Sequence, residues 1–475
     1  MDRTLECITD WITRQRWYAA KDRSPQLRVI GQCALPGASD EVSCHVLLLL
    51  DDASRPAVLY QVPLAVRSAL LPGAGHRLIG RLESGSYLYD GPHDPAFADA
   101  LLAVMLDQST ATEGDVALFG ERSSRAGFRD ASAMTSRVLE GEQSNTSIIY
   151  TPTDAGSPVI AKVFRQLHHG ENPDVTLQTA LAEAGSPYVP GSVGSVMGEW
   201  NDVGRSSGRA RGHLAFAQEF FTGVEDAWRV ALRAAAAGEN FTEQARALGR
   251  ATAEVHRLLA RLFPTTDATP GDVAAVVLGW HERLATAVAE IPQLAEQRQS
   301  IEEIYDAAQQ AVWPPLQRVH GDYHLGQVLS VPDRGWVLLD FEGEPLRTMT
   351  DRVRPDVVLR DLAGMLRSFD YVAGSVGMND PHADSGALST WANDARRAFL
   401  GGYAEASELD LRAYLALRDA FELDKAVYEA LYEHRNRQSW LPIPILGIVR
   451  VLERELPNTP GAADLLAELD ETRQA

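Results

Sequence analysis

The sequence predicts an α+β protein whose strands lie mostly before residue 220 and whose helices lie mostly after it. Three observations support that division. Apolar runs of strand length recur at residues 27–29, 45–50, 57–62, 147–150 and 158–163. From Val224 onward apolar residues return at spacings of three and four across residues 226–237, 241–262 and 273–291, the pattern of amphipathic helices. Within that helical part a single strand pair is expected, residues 328–329 and 336–339. They flank Val331-Pro332-Asp333-Arg334-Gly335, where proline presets φ and glycine tolerates positive φ.

At 475 residues the chain has room for two or three domains, each with a core of its own. A formal charge of −21 argues against nucleic acid as a partner, because binding phosphate backbones requires a basic surface. Cys7, Cys33 and Cys44 are odd in number and show no CxxC spacing, so neither a disulfide framework nor a zinc site is expected. No basic region followed by an apolar run opens the sequence, and no apolar run is long enough to span a membrane. A cytoplasmic protein without membrane contact is the expectation.

Residues 4–18 read as an amphipathic helix through Leu5, Ile8, Trp11 and Ile12, with Trp17 and Tyr18 packed in a core. The runs that follow suggest an antiparallel sheet, and residues 1–90 form a small α+β cap. Pro95 opens a helix to Leu106. Between strands at 137–139 and 147–150, Ser144, Asn145, Thr146 and Ser147 offer hydroxyls, an amide and backbone N–H groups to phosphate oxygens; a polar hairpin turn is the alternative. Lys162 stands in the middle of the apolar strand 159–164, an unfavourable place for lysine unless it serves a ligand. In kinases such a lysine pairs phosphates and an acidic residue on the next helix, here Asp174 after Asn172-Pro173. Residues 91–212 would form this second domain, with a mobile loop over 199–211. A third domain, 213–475, opens on a strand over 213–220.

Val319-His320-Gly321-Asp322-Tyr323-His324-Leu325-Gly326-Gln327 carries the chemistry. A hairpin centred between Asp333 and Arg334 places Gln327 opposite Asp340, with β-carbons about 5 Å apart. Asp322 enters the same hairpin five residues before Gln327. A free carboxylate beside an amide oxygen and a second carboxylate is what phosphoryl transfer to a hydroxyl needs. Asp322 is the expected base, and Gln327 and Asp340 the expected Mg²⁺ ligands. Farther on, Glu422, Lys425, Glu429 and Tyr432 share one helix face, as a solvated stripe, as a Lys425–Glu429 ion pair or as part of a binding site.

HGDxHxGQ followed by Leu338-Leu339-Asp340-Phe341-Glu342-Gly343-Glu344-Pro345 resembles the aminoglycoside phosphotransferase-like kinases, and among them the actinobacterial maltokinases. The resemblance runs from residues 11–18 through Glu142-Gln143-Ser144-Asn145-Thr146-Ser147 to residues 440–444. It implies a bilobal protein-kinase-like fold with an N-terminal α+β cap and a mostly helical C-terminal lobe. It also implies conversion of maltose and ATP, with Mg²⁺, to maltose 1-phosphate, with trehalose synthase as a functional or physical partner. Adenine would lie near Gln218, Glu219 and Phe220. Asp361, in the first turn of a helix from Leu359, would brace the catalytic loop. His324, Arg367, Lys425, Tyr428, Glu429, Tyr432 and Trp440 would face the sugar. Related maltokinases carry glutamate where this chain has Thr176, which leaves Asp174 to pair with Lys162. The alternatives are a glucosamine, other hexosamine or aminoglycoside kinase and, in another class, a non-catalytic subunit associated with trehalose synthase. The segment Phe341-Glu342-Gly343-Glu344 favours maltokinase.

Overall fold

Strand-length apolar runs become two antiparallel sheets in the first half of the chain, and the helical periodicities become packed helices in the second. The computed structural model describes residues 3–37, 39–124, 134–140, 144–153, 156–203, 208–344, 347–380 and 382–455. Its contacts divide the chain into two units, residues 1–223 and 224–475.

The first unit opens with helix α1 (Arg3–Ile12), which buries Cys7, Ile8, Trp11 and Ile12. The helix stops at Ile12 rather than continuing to residue 18. The chain turns there so that the adjacent rings of Trp17 and Tyr18 both pack against Tyr60, and the Tyr18 hydroxyl donates to Asp51 Oδ2 at 2.6 Å. Five strands follow: β1 (Leu27–Ala34), β2 (Val42–Asp51), β3 (Val58–Arg67), β4 (Leu78–Arg81) and β5 (Tyr87–Asp90). They pair in the order β1-β2-β3-β5-β4.

Helix α2 (Pro95–Leu106), capped by the Asp94 side chain, leads to a second sheet. Its members are β6 (Thr110–Glu113), β7 (Val116–Arg122), β8 (Met134–Val138), β9 (Asn145–Pro152) and β10 (Val159–Phe164). After the short β11 (Gln166–Leu167), which pairs with β3 of the first sheet, come α3 (Pro173–Glu183), β12 (Ser192–Asn201) and β13 (Arg209–Glu219). The order is β6-β7-β12-β13-β10-β9-β8. The expected mobile loop over 199–211 is largely a strand pair, Glu199 opposite Arg211 and the buried Trp200 opposite Ala210. Residues 204–207 lie outside the described residues. The expected boundary after residue 212 cuts β13, which is paired on both edges by β10 and β12; the contact division falls at 223.

The second unit begins with β14 (Glu225–Asp226) and the helices α4 (Ala227–Ala236), α5 (Thr242–Leu262), α6 (Pro270–Glu290) and α7 (Arg298–Gln310). Thr269 caps α6. Asp272 is the third helical residue and returns a bond to the Thr269 backbone, a reciprocal box that the sequence Thr-Pro-Gly-Asp permits. The hairpin β15 (Val328–Val331) and β16 (Gly335–Leu338) pairs with β14. The remaining helices are α8 (Met349–Arg352), α9 (Leu359–Asn379), α10 (Ser385–Ala406), α11 (Leu415–Asn436) and α12 (Pro442–Glu455). Among the described residues no helix is long and apolar enough to cross a membrane.

Helices α5 and α10 touch backbone to backbone. A β-carbon on Gly249 would lie 2.0 Å from the Phe399 carbonyl oxygen, and one on Gly402 2.0 Å from that of Arg246. Neither obstacle is a movable side-chain end, so an added methyl must separate the helices. Gly402→Ala should therefore cost about 1–3 kcal/mol, the scale of overpacking a tight contact. The loss should appear as a lower denaturant midpoint; an unshifted midpoint would contradict the close crossing.

Candidate active site

In the second unit the segment 319–327 is held from below by one buried carboxylate. Asp361, in the first turn of α9, accepts from the His320 backbone N–H at 2.8 Å and from that of Gly321 at 2.9 Å. A third donor is His256 Nε2 of α5, at 2.9 Å. Burial opposes the charge on Asp361, but these donors outweigh it and keep the carboxyl below its ordinary pKa. The His320 ring packs on Phe341 and Tyr323, and its Nε2 donates to the Leu339 carbonyl at 2.8 Å. Tyr323 shares a 2.8 Å hydrogen bond with Thr252 of α5. Gly364 of α9 lets the loop sit directly on the helix, since a β-carbon there would be 2.5 Å from the Tyr323 carbonyl. The leaving side of the loop is pinned by Leu325 N–H, which donates to Ser368 Oγ at 3.1 Å.

The hairpin register differs by one residue from the expected one. Val328 opposes Leu338 and Val331 opposes Gly335, so Gln327 faces Leu339 and accepts from its N–H at 2.9 Å. The turn centres on Asp333, which takes φ 60° beside Gly335 at φ 82°. Gln327 and Asp340 nevertheless meet, because Asp340 adopts the left-handed conformation at φ 65°. There Gln327 Nε2 donates to Asp340 Oδ2 at 3.0 Å. Aspartate is among the few non-glycine residues that tolerate this conformation, at a cost of order 1 kcal/mol.

Asp322 lies 3.7 Å from Lys425 Nζ of α11, which also holds Glu344 at 2.6 Å. Burial works against the Lys425 charge, but Glu344 and Asp322 raise its pKa above that of an ordinary lysine. Burial likewise opposes ionisation of Glu344, and Lys425 and Arg360 overcome it, bringing the carboxyl down to about 2. Of the alternatives for this face, the Lys425–Glu429 pair gives way to Lys425–Glu344. Glu429 turns instead to Arg367, at 2.8 Å.

Lys425, Tyr428 and Gly364 also border a cavity of about 460 Å³ together with His324, Trp228 and Trp440. Glu429, Tyr432, Tyr371, Glu433 and Arg437 complete most of its wall. His324 is mostly occupied with its own turn, its Nδ1 accepting from Gly326 N–H, and burial lowers its pKa. The Tyr371 and Trp440 rings stack 6.2 Å apart at 28°, with the Arg437 guanidinium 4.5 Å from the Trp440 ring. Arg367 does not reach this cavity. It is fully buried, with Nη1 on Asp370 at 2.7 Å and Nε on Glu429, so its charge is spent holding carboxylates from behind. The family resemblance that placed it toward the sugar could not reveal that burial.

In the first unit, Lys162 Nζ of β10 donates to Asp174 Oδ2 of α3 at 2.8 Å. Of the four polar residues before it, Ser144 is exposed and Asn145 begins β9. Thr146 and Ser147 are buried in the sheet, and Thr146 Oγ1 accepts from Arg165 Nε at 2.8 Å. The Thr146 and Ser147 side chains therefore sit within the sheet. Glu142 and Gln143 lie outside the described residues. The Gln218 side chain accepts from Gln178 on α3, Glu219 accepts from Gly191 N–H at 3.1 Å, and Phe220 N–H donates to Pro158 at 2.8 Å.

Residues 137–420 match the phosphotransferase enzyme family, and residues 11–94 match the maltokinase N-terminal cap domain. The chain belongs to the phosphotransferase enzyme family. A glucosamine kinase of Streptacidiphilus jiangxiensis is 30% identical over 354 residues, covering 70% of this chain and 77% of that protein. One from Mycolicibacterium smegmatis (strain ATCC 700084 / mc(2)155) is 25% identical over 384 residues, 78% of this chain and 91% of the relative. A solved glucosamine kinase structure, crystal form B, superposes with a TM-score of 0.68 at 23% identity over 94% of this chain and 99% of its own. The fold is therefore the kinase-like α+β fold of these phosphotransferases, and the protein is a phosphotransferase.

Several residues of this region lay beyond sequence reasoning. Trp228 sits in the first turn of α4 with no local signal, and Glu433 and Arg437 look like an ordinary i,i+4 surface pair. Glu344 was visible in the motif, but its partner Lys425 is 81 residues away.

The Glu344 carboxyl titrates at about 2 here against an ordinary 4.5, so its ion pair stabilises the fold at neutral pH and is lost as pH falls through that interval. Glu344→Gln should lower stability by about 2–3 kcal/mol at neutral pH, because Lys425 is left short of a buried partner. The difference from the parent should shrink as pH falls from 4.5 toward 2 in denaturant titrations. A constant difference over that range would contradict the pairing.

Proposed function

We propose that this protein transfers the γ-phosphoryl group of ATP to the anomeric hydroxyl of maltose, giving maltose 1-phosphate and ADP. The observation that carries the reading is the aromatic-walled cavity beside Asp322. Its volume of about 460 Å³ suits a disaccharide, and the stacked Tyr371 and Trp440 rings offer a platform for a second sugar ring. Its carboxylates are already matched by cations, Glu429 by Arg367 and Glu433 by Arg437 at 2.6 Å. A neutral sugar fits that charge balance better than an ammonium-bearing one.

In this reading Asp322 orients the sugar hydroxyl and accepts its proton as the oxygen bonds to phosphorus and the bond to the ADP oxygen breaks. Lys425, 3.7 Å away, holds the Asp322 carboxylate in position. Gln327 and Asp340 form a hard oxygen pair that would hold Mg²⁺, which neutralises phosphate charge when bound. Lys162, oriented by Asp174, takes the nucleotide phosphates, and backbone groups of residues 218–220 take the base. Positioning and charge compensation supply most of the rate in such transfers.

Glucosamine is the second reading, favoured by the names of the relatives. ADP production should be followed with maltose, glucosamine and glucose in turn, for the parent and for Trp440→Ala. Maltose should give the highest kcat/KM, and Trp440→Ala should raise its KM about tenfold, the effect of losing roughly 1.4 kcal/mol of ring contact. A higher kcat/KM for glucosamine would overturn the maltose assignment, and absence of ADP production with every sugar would favour a non-catalytic role.

A further inference from the structure

The first unit contains a second polar cavity, of about 340 Å³, that does not include Lys162. It lies where the turn after α1 meets β5, β8 and the start of β9, and Arg14, Arg16 and Arg77 line it. Arg14 and Arg16 are exposed and have no ion-pair partner among the described residues, whereas Arg77 is 3.9 Å from Glu140. Surface arginines alone would mean little.

Behind them, however, stands Arg165, a fully buried guanidinium. Its Nε donates to Thr146, its Nη2 donates to both oxygens of Asp90 at 2.9 and 2.8 Å, and its face lies 4.8 Å over the Trp17 ring. Thr146, Asp90 and Trp17 all line the cavity. Arg165 Nη1 is left without a hydrogen-bond partner. Arg165 does not itself line the cavity, but its positive charge sits directly behind the wall formed by Asp90, Thr146 and Trp17. Three guanidinium groups line the cavity, with that of Arg165 behind its wall, against the carboxylates of Asp90 and Glu140. Burial also lowers the His93 pKa to about 4, leaving it neutral and able to hydrogen-bond without adding charge. Forked N–H donors in excess over carboxylates match the tetrahedral oxygens of a phosphate group.

We propose that this cavity binds a phosphate group, as inorganic phosphate or as the phosphate of a sugar monoester, at a site separate from the nucleotide. The anion would bridge the turn at residues 14–17 and the paired strands β8 and β9, with its oxygens on Arg16 and Arg77 and the charge of Arg165 behind the cavity wall.

The test is calorimetric titration of the full chain, with ADP filling the nucleotide site, using inorganic phosphate in one arm and glucose 1-phosphate in the other. The parent, Arg16→Ala and Arg77→Ala would be compared; both arginines lie outside the hydrophobic cores, and thermal unfolding without ligand checks that the variants fold. Saturable binding in at least one arm, weakened about tenfold or more in each variant, is expected for loss of one charge-assisted contact. The arm that binds more tightly identifies the source of the phosphate. Absence of saturable binding in both arms, or affinities unchanged by both substitutions, would overturn the site. An equal loss of ADP affinity in the variants would make the cavity part of the nucleotide site and overturn its separateness.

Discussion

The second unit is arranged around the buried Asp361 carboxylate, which takes two consecutive backbone N–H groups of the loop and one imidazole. A loop cannot satisfy its own amides when it is pressed onto a helix, so an acceptor must come from the helix. Asp361 supplies it from the first turn of α9, where free N–H groups and the helix dipole favour negative charge. The charge-assisted bonds fix His320 and Gly321, and Asp322 follows with no freedom of its own at the preceding peptide. His256 extends the brace to Tyr403 of α10 at 3.0 Å, and Tyr323 extends it to Thr252 of α5. The close glycine crossing of α5 and α10 thereby bears on the position of Asp322.

A second layer of buried charge shapes the cavity wall. Asp370 of α9 accepts from Arg367, Arg396 and Arg450, and Arg396 also holds Glu422 at 2.6 Å. These bonds tie α9, α10, α11 and α12 together and leave Arg367 pointed at Glu429. Each member is expensive to bury and more expensive to leave unpaired, about 3–5 kcal/mol when one partner is removed. Such a network adds little net stability over an apolar core. Its contribution is orientation: Glu429 is presented to the cavity with its charge already balanced.

Much of this was legible in the sequence, for identifiable reasons. The loop-hairpin motif is local, so chain spacing alone placed Asp322, Gln327 and Asp340 close together even with the register off by one. The error came from the turn, where Asp333 rather than the Asp333–Arg334 bond lies at the centre, and Asp340 compensates through a left-handed backbone that no spacing rule predicts. Lys162 and Asp174 were legible because a lysine in an apolar strand requires a partner. Arg367 was misread because a family resemblance gives a helix but not the depth of a side chain on it, and the Lys425–Glu344 pair was not foreseen because Glu344 is remote in sequence. The hairpin at 192–219 was hidden by the glycine, serine and arginine between its strands, although Trp200 packs inward like any core residue.

The most direct test of phosphoryl transfer through Asp322 is single-turnover kinetics of Asp322→Asn with maltose, alongside nucleotide affinity measured by titration. The account predicts a fall of about two orders of magnitude or more in the rate of phosphorylated sugar formation, the usual scale for losing a general base, with nucleotide affinity unchanged. A near-parental rate with intact nucleotide binding would contradict it.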